Sequence, residues 1–155
     1  MAPSRRMFER RALTQGEIAL GRAMFGDGID WPRIAILQVP PWGFSAMVPF
    51  GHTIVFGRWR APRDFSRAPL GEQGWFVHEL MHVAQAARGA VLAGAKLTAL
   101  GAKAYGYKAR SGARLGDYNI ERQAEIARHL FLARALQPQA GAPPREWLEE
   151  IWRRR

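Results

Sequence analysis

Residues 75 to 85 read "WFVHELMHVAQ", and no other stretch restricts the fold of this chain so strongly. Trp75, Phe76, Val77, Leu80, Met81, Val83 and Ala84 leave almost no wet face on a helix, so the segment predicts a helix enclosed on nearly every side. Set among them are His78, Glu79 and His82. Placing two imidazoles and a carboxylate in such surroundings costs about several kcal/mol unless each finds a partner.

The spacing suggests the partner. His78 and His82 are four positions apart, so both point from one helical face, near enough to share an ion. Glu79 lies about 100° further round the axis, where its carboxylate flanks that ion or holds a water beside it. This is the geometry of the H-E-x-x-H zinc motif, and Zn2+ is the expected cofactor. The bland alternative is a chance match, with both histidines hydrogen-bonded inside an ordinary core.

The rest of the 155 residues bounds the setting. An apolar fraction of 48% with six tryptophans suits one folded domain that needs no covalent staples. The chain has no cysteine, which excludes disulfides, thiolate metal sites and a thiol nucleophile. A net charge of +10 favours anionic partners such as nucleic acid, acidic polymers or anionic lipid, without choosing among them. The N-terminus lacks the apolar run of a secretory signal, and "AVLAGAKLTALGAKA" is too short and too interrupted by lysine to span a bilayer. The expectation is a cytoplasmic protein, or one exported without a classical signal.

Residues 1–12 read as a mobile basic arm, and 13–155 as a single domain. Thr14 and Glu17 form a capping box for a first helix that Gly26 and Gly28 end. "RIAILQV", "SAMVPF" and "HTIVFG" predict an antiparallel or mixed sheet of about three strands, a small meander or hairpin, giving an α+β fold. The motif helix is expected over about 72–88, ending before Gly89. The glycine- and alanine-rich stretch 89–116 reads as one broken helix followed by a loop. Asp117 or Asn119 then caps a third helix, "IERQAEIARHLFLARAL", and "REWLEEIW" forms a short last one.

A catalytic zinc takes three protein ligands and keeps one position open. Glu121 and Glu125 lie one turn apart on the third helix, so one can bind metal while the other supports a ligand. Glu121 is the preferred third ligand; Glu125, His52 and His129 remain alternatives. An acid pair flanked by Arg122 and Arg128 also fits a solvated face.

The pair "HELMH" and "ERQAE" resembles the gluzincin arrangement, where H-E-x-x-H is followed on a later helix by E-x-x-A-D or a close variant. That resemblance implies a zincin-like fold and peptidase activity, with Glu121 as third zinc ligand and Glu125 orienting the site. Glu125 stands where Asp is common, which gives a longer reach. More narrowly, "LTQGEIALGRAMFGDGIDWPRI", "GWFVHELMHVAQ" and "YNIERQAEIARHLF" are similar, in this order, to small bacterial proteins known as Vgr-related. The similarity covers most of 13–135. Members often carry Thr where Met81 stands.

In a hydrolytic reading, Glu79 takes the proton of a metal-activated water and passes it to the leaving amine of a peptide or protein substrate. Tyr118, Tyr107 and His129 are candidate donors to the oxyanion. The run "HTIVFG" is a candidate edge strand for an extended peptide, or a plain core strand. Two other classes remain open. One is a metal-stabilised cargo or adaptor module of a secretion or phage-tail-like assembly, without turnover. The other is a nucleic-acid-associated protein acting through its arginine-rich ends.

Overall fold

The structure, a computed structural model, describes residues 8–58, 60–90 and 106–155. Four strands and four helices of three or more turns, or nearly so, appear among them: β1 (Glu9–Ala12), α1 (Gln15–Phe25), β2 (Ala35–Gln38), β3 (Ala46–Met47), β4 (Thr53–Phe56), α2 (Leu70–Ala87), α3 (Ile120–Arg134) and α4 (Arg145–Arg153). The expected broken helix over 89–116 falls largely on residues outside this description, as do residues 1–7 of the expected arm.

The sheet is mixed and has four strands in the order β1-β2-β4-β3. Its fourth strand comes from the segment expected to be a mobile arm. Glu9 to Ala12 pair antiparallel with Gln38 to Ala35. Arg11 anchors that strand, donating to both carboxylate oxygens of Glu17 at 2.8 Å and to the Pro62 carbonyl. The other outer strand, β3, meets β4 antiparallel through Ala46↔Phe56 and Met47↔Val55.

A simple meander does not form, because β4 runs parallel to β2, while the mixed sheet that was the other expectation is present and β3 pairs antiparallel with β4. All four β4 residues are buried, the near-continuous apolar run of a strand covered on both faces. Consequently "HTIVFG" is an interior strand with neighbours on both edges, and an extended peptide has no free ladder there.

Helix α1 carries the reciprocal Thr14–Glu17 capping box and ends at Gly26, whose φ of +73° favours glycine. Helix α2 is apolar on two faces because it lies between two cores. Phe76, Leu80 and Val83 pack toward Ile36, Ile54, Phe56 and Phe65 of the sheet side. Val77 and Met81 join Ala124, Ala127 and Leu130 of α3 and Leu148, Ile151 and Trp152 of α4. Gly74 admits α3 closely; a Cβ there would meet Arg128 Cγ and Leu132 Cδ2 at 3.3 Å. Asn119, rather than Asp117, caps α3 by accepting from the Arg122 amide at 2.8 Å. No helix of the described residues is long and apolar enough to cross a membrane.

Candidate metal centre

One stripe of α2 escapes both apolar cores and faces α3. It carries His78, His82 and Gln85, spaced at four and three residues, opposite Glu121 and Glu125 on the first two turns of α3. All five side chains are buried. The tight capping of α3 at Asn119 fixes where Glu121 enters.

The imidazole Nε2 atoms of His78 and His82 each lie 3.4 Å from Glu121 Oε2. For a direct hydrogen bond that separation is long. For zinc it is apt, since tetrahedral ligand atoms about 2.0–2.1 Å from the ion sit about 3.3 Å from one another. His78, His82 and Glu121 each offer a ligand atom, all within 4.8 Å of one another, and among the described residues they form the one such group of three. Glu79 is buried beside His78 in sequence, and its Oε2 has no hydrogen-bond partner among the described residues. An orphaned oxygen on a buried carboxylate that acts electrostatically on His78 fits a site completed by a cation and its water.

The structure separates the two acids of α3. Glu121 faces the Nε2 side of both rings. Glu125 Oε1 accepts from His78 Nδ1–H at 2.8 Å, behind the ring. Arg128 grips Glu125 through Nε at 3.0 Å and Nη2 at 2.8 Å, and its guanidinium lies 4.5 Å over the Trp75 ring. The alternative of a solvated face around this acid pair does not hold at Arg128: a carboxylate and an indole hold this side chain inside. The one trace of the clamp in the sequence is an acid–arginine spacing of three on a mostly apolar helix.

Charge follows the geometry. Burial alone would lower the His78 pKa, but Glu121 and Glu125 outweigh it and lift the metal-free ring to about 9. Burial likewise works against ionisation of both acids. The His78 and His82 rings facing it hold Glu121 well below the usual carboxylate range, and His78 with Arg128 lowers Glu125.

The remaining histidines lie outside the group of three. His52 Nδ1 contacts Thr53 Oγ1 at 3.1 Å, beside a groove of about 550 Å3 that Asp30, Arg33 and Phe50 also line. His129 meets the Tyr107 hydroxyl at 2.6 Å, Arg128 at 3.2 Å and Glu125 at 3.4 Å. Burial and then Arg128 push its pKa down to about 4, so the ring is neutral. The hydroxyl of Tyr118 donates to the Lys108 carbonyl at 3.0 Å, which commits it to the backbone. Of the three expected oxyanion donors, then, one is tied up and two bond to each other.

Fold and site together define a small α+β domain built around a buried pair of histidines and a glutamate with the arrangement of a metal centre. A solved structure, the effector domain of Pseudomonas aeruginosa VgrG2b, matches 93% of this chain and is itself 82% covered, with a TM-score of 0.69 and 32% sequence identity. The chain belongs to the family of that effector domain. The type VI secretion system spike protein VgrG2b of Pseudomonas aeruginosa is 38% identical over 131 residues, which are 79% of this chain and 13% of the spike protein's length. No protein-family model matches the chain.

Proposed function

We propose that this chain is the effector part of a type VI secretion cargo, and that its buried centre is a zinc site for hydrolysing peptide bonds. Kinship with an effector domain supports delivery by a secretion assembly. The observation carrying the hydrolytic half is the convergence of His78 Nε2 and His82 Nε2 on Glu121 Oε2 at 3.4 Å, with the Glu79 oxygen left unpartnered beside them.

In this reading His78, His82 and Glu121 hold the ion. Zinc bound there would supply Lewis acidity to acidify a water and polarise a substrate carbonyl. Glu79 receives the water's proton and delivers it to the departing amine. Glu125 keeps the His78 ring oriented, and Arg128 keeps Glu125 ionised and still. His129, bonded to Tyr107, contacts Glu125 on the Nδ1 side of the His78 ring, away from the Nε2 face, and the Tyr118 hydroxyl is committed to the backbone, so the oxyanion is assigned to none of the three.

The test is a peptide-library digest by the zinc-loaded chain and its Glu79→Gln variant. Hydrolysis should vanish in the variant with zinc still bound; full activity in the variant would remove Glu79 as the base. A second reading is a cargo module in which metal only stabilises the fold. The same kinship supports it, since kinship speaks to delivery rather than to a reaction. It requires that zinc raise the melting temperature while the wild-type chain cleaves nothing in the library.

A further inference from the structure

Glu125 supports one histidine of the centre; the other has a different kind of support. Gln85 Oε1 lies 2.8 Å from His82 Nδ1. On its far side Gln85 Nε2 donates to the Ile120 carbonyl at 2.9 Å and to Gln123 Oε1 at 3.1 Å. Gln123 Nε2 in turn donates to the Tyr118 carbonyl at 2.7 Å.

The direction of this chain is forced at both ends. A backbone carbonyl only accepts, so the atom of Gln123 facing Tyr118 is the amide nitrogen, and its oxygen faces Gln85. The same argument applied to Ile120 puts the Gln85 nitrogen toward α3 and its oxygen toward His82. An amide oxygen also only accepts, so His82 carries its proton on Nδ1. Its Nε2 lone pair therefore points at the Glu121 side, the tautomer a metal ligand needs.

From this geometry we infer that Gln85, itself oriented by Gln123, is the positioning residue for His82 in metal binding. The inference rests on the proposed metal centre. The relay does two things at once. It selects one tautomer of His82, and it ties that ring to Tyr118 and Ile120, the residues that bracket the cap of α3 and set the entry of Glu121. The two histidines are thus held differently, His78 by a carboxylate and His82 by a neutral amide, so the second support adds no further negative charge to a centre that already holds three glutamates.

The test measures zinc affinity by chelator competition for the wild type, Gln85→Leu and Gln123→Leu, together with imidazole 1H–15N correlation spectra. Gln85→Leu should weaken zinc binding about 10- to 100-fold, the usual effect of losing a ligand's hydrogen-bond support. Gln123→Leu, which leaves the Ile120 bond to Gln85 in place, should give a smaller loss. The His82 Nδ1–H resonance, slow to exchange in the wild type, should exchange faster in Gln85→Leu. A residue with only a packing role would lower the melting temperature without changing that exchange. Unchanged zinc affinity in Gln85→Leu, or a wild-type His82 protonated on Nε2, overturns the inference. Should Gln85→Leu fail to fold, an unaltered affinity in Gln123→Leu overturns it as well. A wild-type chain that binds no zinc refutes the metal centre itself, which is a separate failure.

Discussion

At the scale of single residues, the proposed zinc centre sets protons and metal in competition for the same nitrogen. In the metal-free chain His78 is raised to about 9 from an unfolded value near 6.5, so its proton is bound more tightly in the folded state. The stability that this contributes is complete below pH 6.5 and is lost as pH rises through 9. Chelated protein should therefore show a falling melting temperature between about pH 6.5 and 9.5. Zinc must displace the same proton, so its affinity should climb over that interval and the zinc-loaded protein should resist the alkaline fall. Melts with and without chelator across this range check both signs; parallel curves would refute a shared nitrogen. Arg128 offers a second residue-level test. Arg128→Leu leaves Glu125 buried beside His78 without its clamp, and a loss of about 3 kcal/mol or more in unfolding free energy is expected by chemical denaturation.

At the scale of elements, close approach decides more than propensity. Gly21 in α1 lies against the Trp31 ring, and an added Cβ would sit 2.5 Å from its carbons. Alanine there gains about 1 kcal/mol of helix propensity. Trp31 is buried and its Nε1 donates to the Gly26 carbonyl at 3.1 Å, so it cannot yield, and overpacking costs about 1–3 kcal/mol. Gly21→Ala should lower stability on balance, and a raised melting temperature would contradict this packing. Helix identity was legible because period, cap and stop agreed: Thr14 with Glu17, Asn119 before Ile120, and Gly89 with φ +89° just past α2. The sheet was less legible. The partner of Glu9–Ala12 lies more than twenty residues away, and the bond that seats it, Arg11 to Glu17, is indistinguishable in sequence from one more arm arginine. The parallel β2–β4 pairing likewise depends on a crossover that periodicity does not encode. Within the site, the spacing H-E-x-x-H and E-x-x-x-E brought out five residues. The roles of Gln85 and Arg128 were not legible because they depend on what faces them; the available signals were a polar residue three beyond the second histidine of a greasy helix and an arginine three beyond Glu125.

At the scale of the whole molecule, two apolar cores meet along α2, and the centre occupies the seam between α2 and α3. A ligand that binds only the folded chain adds stability by mass action, about 4 kcal/mol when free zinc is a thousandfold above its dissociation constant. Chelation should thus lower the melting temperature by several degrees and loosen α2 against α3 first, which amide exchange of α3 can follow. An unchanged melt after complete metal removal would argue against a centre at that seam. In the proposed reading the domain is cargo of a secretion assembly, and its net charge of +10 would let it meet acidic surfaces. If it does, nucleic-acid or anionic-vesicle binding should weaken steeply with added salt.

Zinc content per chain, measured by elemental analysis on purified wild type and on Glu121→Ala, bears most directly on the claim that two imidazoles of α2 and one carboxylate of α3 hold an ion together. One zinc per wild-type chain and essentially none in the variant is the expected result. A wild type that takes up no zinc, or a variant that keeps its full complement, would contradict it.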